Sequence, residues 1–118
     1  MIQITRVYSG ENGESHFEDF EVPLKNNGDI GFLYEDEPVK SIVFREVKPS
    51  YDYDFHNEPD RQYIVLLDGG VEIETSLGEK RTFETGSILL VEDTTGKGHK
   101  TKNIEPKLRK SIFIKLNH

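Results

Sequence analysis

The sequence predicts an all-β domain, and three observations support this prediction. Segments rich in β-branched and aromatic residues recur between clusters of Gly, Asn, Asp and Pro. In the central part of the chain these turn signals lie about 8 to 12 residues apart. No stretch shows the 3.6-residue period of an amphipathic helix. A sandwich or barrel of short strands is therefore the simplest topology.

The N-terminal half contains four predicted strands. Each is rich in residues that favour extended backbone, and clusters of small polar residues at 9–13 and 26–29 predict turns between them. The last of the four contains the apolar residues Ile42, Val43 and Phe44 and ends before Pro49, which cannot donate to a sheet. The predicted strands are residues 2–8, 17–23, 31–34 and 40–47.

The C-terminal half begins with residues 51–56, where aromatic and polar residues alternate. A period of two places Tyr51, Tyr53 and Phe55 on one face, which predicts the packed face of a sheet or the entrance of a pocket. Residues 63–67 are apolar without interruption, as expected for a strand buried on both faces. Residues 71–75, 80–83, 87–91 and 111–116 complete the predicted strands, with a long loop at 92–100.

Length and charge limit the classes of protein to which the chain can belong. We expect 118 residues to form one domain, residues 1–118. The net charge of -7 disfavours binding to nucleic acid or to an anionic membrane, and the basic C-terminal part is expected to pair with acidic neighbours. The chain has no Cys, so any metal site must use His, carboxylate or amide ligands. No segment resembles a signal peptide or a membrane span, which predicts a cytoplasmic protein.

Two segments place metal-competent side chains beside strands of the predicted core. In the first, His56, Glu58 and Gln62 have the same parity and would face one cavity if the chain is extended. In the second, a strand ends in a Gly-rich loop that contains Asp93 and leads to His99. This loop, residues 93–98, predicts either an oxyanion site built from backbone amides or a tight turn that satisfies its own polar groups.

The spacing of these residues resembles the two motifs of the cupin superfamily. His56 matches the first His of the first motif, Glu58 falls where the second His would be, and Gln62 takes the place of the Glu, six residues before Gly69. In the second motif, Gly86, His99 and Asn103 match, while Glu92 replaces a Pro. The chain also resembles a group of short, single-domain bacterial cupins that have no assigned reaction. The resemblance implies a jelly-roll barrel, also called a double-stranded β-helix.

The resemblance further implies a mononuclear metal site. The ligands predicted on this basis are His56, His99, Gln62 and Glu58. Two imidazoles with a carboxylate or an amide oxygen suit Fe, Mn, Ni or Zn. His16 would join them only if the N-terminal segment crosses the mouth of the barrel, and we expect it to be a surface residue instead. Arg61 is expected to point away from the cavity and to form a surface ion pair.

Two functions remain open at this point. The first is a metal-dependent enzyme that acts on an organic acid or a sugar-like molecule, with Glu58 or Asp93 as a proton shuttle. The second is a metal-free domain that binds or senses a small molecule in the same barrel mouth, because two of the four expected cupin ligands are replaced. In either case we expect a homodimer, since the apolar run at 63–67 would otherwise expose one face.

Overall fold

The computed structural model describes residues 1–117 and is all-β, with one short 3-10 helix at Gly28–Ile30. His118 lies outside the described residues. The strands are β1 (Gln3–Ser9), β2 (Ser15–Glu21), β3 (Lys25–Asn26), β4 (Phe32–Leu33), β5 (Val39–Val47), β6 (Asp52–His56), β7 (Gln62–Leu66), β8 (Val71–Thr75), β9 (Lys80–Phe83), β10 (Ile88–Val91), β11 (His99–Asn103) and β12 (Arg109–Leu116).

The strands form two main sheets and a small hairpin. The larger sheet has the order β2-β1-β10-β7-β12-β5, and within it only the β1–β10 pair is parallel. The smaller sheet has the order β6-β11-β8-β9 and is antiparallel throughout. The hairpin pairs β3 with β4. The all-β prediction is confirmed, and the strands are hydrogen-bonded as separate sheets and not as one closed cylinder.

The main core lies between the two sheets. Residues that face inward from β1, β7 and β10 pack against residues from β8 and β9, and all of them are buried. Burial of these aliphatic and aromatic side chains is the main source of stability for a domain of this size. The core residues are Val7, Ile64, Leu66, Val71, Ile73, Phe83, Leu89 and Val91.

The outer face of the larger sheet is also apolar. Residues directly opposite one another across neighbouring strands share a face. One such row joins Phe44, Ile112, Val65 and Ile88 across four strands. Phe44, at the sheet edge, is 74% exposed. The run at 63–67 is therefore apolar toward both faces, as predicted, and its outward side continues into an exposed apolar surface.

One strand was not predicted. Residues 92–98 form the expected loop and lead to His99, but His99 already begins β11, which pairs with β6 and β8. The segment His-Lys-Thr-Lys-Asn contains no large apolar residue. Its composition therefore does not indicate which positions of the strand are buried. Its inward positions are filled by His99 and Thr101, which are buried polar residues.

The alternation predicted for residues 51–56 is interrupted. His56 lies opposite His99, and Tyr53 lies opposite Thr101, so three residues of β6 span the length of two residues of β11. This irregularity brings Tyr53 and His56 to the same side although their parity differs. Their rings meet edge to face with centroids 4.3 Å apart. Tyr53 and Phe55 are exposed, so the expectation of a packed aromatic face is wrong.

Four of the six lysines of the C-terminal part pair with acidic neighbours, in partial agreement with the expectation. Each pair joins the basic segment to a different part of the chain or to its own turn, and most are partly solvent-exposed, where an ion pair contributes little to stability. The pairs are Lys97 with Glu14, Lys102 with Glu72, Lys107 with Glu105 and Lys115 with Asp60. Within residues 1–117, no helix has the length and apolar character needed to cross a bilayer.

Candidate metal centre

A cavity opens between the two sheets, with a volume of about 40 Å³. This volume holds about three water molecules. Its walls are mostly apolar core residues, with the hydroxyl groups of Tyr51 and Thr101, and its His, Glu and Arg side chains lie in two sets. His56, Glu58 and His99 form one set, and Arg45 and Arg109 form the other. A small apolar pocket with few convergent polar groups is the usual form of a ligand site.

His56, Glu58 and His99 are brought together by three local features. His56 ends β6 and His99 begins β11, and the two residues are directly opposite in the register of that pair. Glu58 follows two residues after His56, in the segment that leads into β7, so its carboxylate returns to the same side. One donor atom from each of the three side chains lies within 4.8 Å of the other two. His56 and His99 also have ring centroids 4.7 Å apart.

Both imidazoles present Nε2 toward the same carboxylate oxygen. His56 Nε2 lies 3.2 Å from Glu58 Oε1, and His99 Nε2 lies 3.6 Å from that atom. On the other side of each ring, Nδ1 has an oxygen partner. His56 Nδ1 donates to the carbonyl oxygen of Asp54 at 2.8 Å, and His99 Nδ1 donates to Asp93 Oδ2 at 2.5 Å. Such partners fix the tautomer in which Nε2 is the free ligand atom.

The charges of the site shift the pKa values of two of its members in opposite directions. Burial lowers the pKa of His56, but hydrogen bonds to Glu58 and to the Asp54 carbonyl, with the negative charges of Glu58 and Asp93, outweigh burial and raise it. Burial raises the pKa of Glu58, but the hydrogen bond with His56 and the positive charges of His99, His56 and Arg45 outweigh burial and lower it. Both shifts favour the charged form of the side chain concerned, in keeping with the contact between His56 Nε2 and Glu58 Oε1.

Gln62 lies behind Glu58. It is the first residue of β7, it is buried, and its Nε2 donates to Glu58 Oε2 at 2.8 Å. This hydrogen bond leaves Oε1 of Glu58 directed at the two imidazoles. The amide oxygen of Gln62 is itself buried and has no partner among residues 1–117. The structure thus brings Gln62 to the site, and its role as a direct ligand stays a prediction.

Asp93 lies behind His99 in the same way. It is 0% exposed, and its second carboxylate oxygen has no hydrogen-bond partner among the described residues. The carboxyl group lies on the side of the imidazole opposite the cavity, so in this position it orients His99. A role as proton shuttle, the other sequence prediction for Asp93, would need contact with a substrate.

We expect Asp93→Asn to weaken metal binding by about 10- to 100-fold, because the carboxylate that accepts from His99 Nδ1 makes Nε2 a stronger ligand. The affinity is measured by competition with a chelator of known affinity. Asp54→Asn is the matched control, since it removes an acidic group beside the site but leaves the backbone carbonyl that holds His56. Equal losses in the two variants would show that net charge, and not the orientation of His99, sets the affinity.

The loop that precedes β11 is held by Asn57, which the sequence did not single out. Its Nδ2 donates to the backbone oxygens of Asp93, Thr95 and Gly96. Lys97 pairs with Glu14, and its backbone amide donates to Gly13. These contacts satisfy polar groups of the loop from other segments, so the second interpretation, a turn that satisfies its own polar groups, is wrong in this respect. The oxyanion site stays a prediction.

His16 and Arg61 lie away from the cavity. His16 is on β2, and its ring packs against Tyr8 with centroids 5.5 Å apart. Arg61 forms an ion pair with Glu92, in agreement with the prediction.

The donor set of His56, His99 and Glu58 fits a divalent transition metal. Metal–ligand bonds of about 2.0 to 2.2 Å place neighbouring ligand atoms roughly 3 to 3.5 Å apart. The two nitrogen–oxygen distances in the site are 3.2 and 3.6 Å, and the three ligand atoms lie within 4.8 Å of one another. A small inward movement of the side chains would therefore bring them to coordination distance. Two imidazoles and one carboxylate match the preferences of Fe, Mn, Ni and Zn, and such a set leaves coordination positions open for water or substrate.

Comparison with known proteins does not assign the chain to a family. No protein-family model matches it, and no curated protein matches it. Among solved structures, the chain is similar to the crystal structure of protein NMB1881 from Neisseria meningitidis, with 17% identity over 72% of this chain and 87% of that one. The TM-score of that superposition is 0.46, so no conclusion about fold or function is drawn from it.

Proposed function

We propose that this chain is a small metal-dependent enzyme of the cupin type, with one divalent transition metal held by His56, Glu58 and His99. The substrate is an organic acid or a sugar-like molecule small enough to enter the cavity between the sheets. The spacing of the two sequence motifs and the arrangement of two facing sheets around the site support the cupin assignment. A jelly-roll topology is part of the same proposal.

The observation that carries the proposal is the orientation of the two imidazoles. Both Nε2 atoms face Glu58 Oε1, and both Nδ1 atoms are occupied by oxygen partners. A histidine that serves only to fill a core has no need for this arrangement on both sides of the ring. In metal sites the same arrangement is general, because the outer hydrogen bond fixes the ring and increases its basicity.

A bound metal would supply Lewis-acid polarisation of a substrate oxygen, and redox chemistry in addition if it is iron. Residues of the chain itself prepare the site. Gln62 and Asp93 orient Glu58 and His99, and apolar residues such as Ile64 and Leu89 form the walls of the cavity. In this assignment Glu58 is a ligand, so its predicted alternative role as a proton shuttle is not retained.

The proposal is tested by loading the metal-free protein with Mn²⁺ and measuring the relaxation rate of solvent water protons. We expect saturation at about one ion per chain and an enhancement of relaxation, because a three-ligand site keeps open positions for exchanging water. Saturable binding without enhancement would indicate a closed structural site. The absence of saturable binding would contradict the metal site itself.

A metal-free ligand-binding domain is the second candidate. The hydrogen bonds between His56 and Glu58 and between Gln62 and Glu58 give both carboxylate oxygens of Glu58 a partner without a metal. This observation favours a polar site that recognises a small molecule directly. The two candidates differ in the Mn²⁺ experiment, since only the first predicts saturable uptake.

We also propose that the chain forms a homodimer through the outer face of the larger sheet. The support is the apolar row that ends at Phe44, because soluble monomers rarely expose a continuous apolar surface and closed dimers are the commonest oligomers. We expect Phe44→Asp to shift sedimentation velocity at micromolar concentration from dimer to monomer. Leu77→Asp is the control, since Leu77 is 65% exposed in a turn away from this face. A wild-type monomer would contradict the proposal.

A further inference from the structure

The second polar set of the cavity consists of two arginines, and no carboxylate of the described residues forms an ion pair with either of them. The chain has five arginines, and three of them, Arg6, Arg61 and Arg81, form ion pairs with Asp or Glu. Among residues 1–117, no carboxylate lies within ion-pair distance of the other two, Arg45 and Arg109. Both of these line the cavity. The two guanidiniums therefore interact with carboxylates such as Asp68 and Glu58 only from beyond ion-pair distance.

Arg109 is the more constrained of the two. It is 4% exposed, and its side-chain contacts are a hydrogen bond from Nε to Asn103 Oδ1 at 2.9 Å and the ring of Tyr51 at 5.9 Å from the guanidinium carbon. Asp68, whose charge acts on Arg109 from a distance, accepts a hydrogen bond from the backbone amide of Lys110. The terminal nitrogens of Arg109 therefore remain available to a ligand in the cavity. A buried cation with no anionic partner is costly unless a ligand supplies the charge.

Arg45 shares a face of the larger sheet with the buried residues Ser111 and Leu66, but it is on the edge strand β5 and is itself exposed, so it lies at the rim of the cavity. Its guanidinium stacks over the ring of Phe113 at 4.5 Å. Burial lowers the pKa of Arg109, and the positive charge of Arg45 lowers it further, so the two guanidiniums repel each other. An anion bound between them would remove this repulsion, and the planar fork of arginine suits a carboxylate.

We propose that Arg109 and Arg45 bind the carboxylate of the substrate, so that the substrate is a small organic acid and not a neutral sugar. Its second polar group would then face His56, Glu58 and His99 across the apolar middle of the cavity. The small volume excludes a bulky acid. This inference rests on the proposed function for the second contact, but the arginine contact itself does not require a metal.

The test is a titration of metal-free protein with acetate, in which binding is monitored by NMR of the arginine Nε–H groups. Acetamide is the neutral analogue, and inorganic phosphate is the second anion. We expect saturable shifts at Arg109 with acetate, weaker effects with phosphate and none with acetamide. We expect Arg109→Met to weaken acetate binding by about 10- to 100-fold, as one charge-assisted contact implies. Arg81→Met, which removes an arginine that already has a carboxylate partner, should leave acetate binding unchanged.

A stability measurement separates this role from a structural one. If Arg109 serves a ligand, Arg109→Met removes a buried charge, and the urea midpoint of the ligand-free protein stays the same or rises. A lower midpoint with unchanged acetate binding would overturn the inference, as would equal binding of acetamide or tighter binding of phosphate. If Arg109→Met does not fold, the variants Arg109→Lys and Arg45→Met test the inference instead. Each of them should weaken acetate binding by at least about threefold. Acetate binding without Mn²⁺ uptake would leave this inference standing and remove the proposed metal enzyme.

Discussion

Replacing His99 with alanine is expected to abolish metal binding and to destabilise the metal-free fold by about 3 to 5 kcal/mol. The affinity should fall by more than about 100-fold, because a lost ligand costs more than the 10- to 100-fold typical of an outer partner. The loss of stability arises because Asp93, which is fully buried, would keep its carboxyl group without the imidazole that now donates to it. Metal uptake by calorimetry and urea denaturation in the presence of chelator measure the two effects.

His56→Ala is the informative comparison. It should remove metal binding to the same extent but cost far less stability, since Glu58 keeps its hydrogen bond from Gln62 and His56 itself is only partly buried. His16→Ala, on β2 and away from the cavity, should leave metal binding unchanged. Retention of full metal affinity in either site variant would show that the imidazoles are not ligands. Equal stability losses in both variants would contradict the buried His99–Asp93 contact.

Gly98→Ala is expected to be the most disruptive single-methyl change in the site, with a loss of more than about 3 kcal/mol in the free energy of unfolding. Gly98 has a φ of 74°, which L-residues rarely adopt, and a Cβ there would lie 2.0 Å from the carbonyl oxygen of His56. Because the obstacle is backbone, it has no flexible end that could move aside. The close approach of Gly98 to His56 is also what allows His99, the next residue, to lie opposite His56. Metal affinity should therefore fall together with stability.

The control for this variant is Gly78→Ala. Gly78 has a φ of 90°, and no heavy atom lies within 4 Å of the position that a Cβ would take. This change isolates the backbone cost of a left-handed residue, about 1 to 2 kcal/mol. Urea denaturation of both variants gives the comparison. If Gly98→Ala costs no more than Gly78→Ala, the contact between Gly98 and His56 does not limit the geometry of the site.

Most of the strands could be predicted from local composition. Residues 71–75 and 80–83 match β8 and β9 because β-branched residues there are bounded by clear turn residues. β11 could not be found in this way, since its buried positions hold His99 and Thr101 and its exposed positions hold lysines. A strand whose inward face lines a polar site lacks the apolar alternation on which sequence reasoning depends.

The candidate site was predicted only in part, for a related reason. His56, Glu58 and Gln62 share parity along one segment, so their convergence was visible in the sequence, and His99 was found through motif spacing. Arg109 belongs to the basic C-terminal part, for which the sequence predicted only pairing with acidic neighbours. Arg109 shares the inward face of β12 with Ser111 and Phe113, which lie two and four residues further on. The predicted strand began only at residue 111, so this alternation could not be extended to Arg109.

Elemental analysis of the protein, produced without an affinity tag and purified without chelator, tests the central claim most directly. The account predicts about one Fe, Mn, Ni or Zn per chain, in keeping with a single site of two imidazoles and one carboxylate. The same stoichiometry should return when metal-free protein is supplied with one of these ions. Protein that contains no transition metal as purified, and that takes up none of the four ions when they are added, would contradict it.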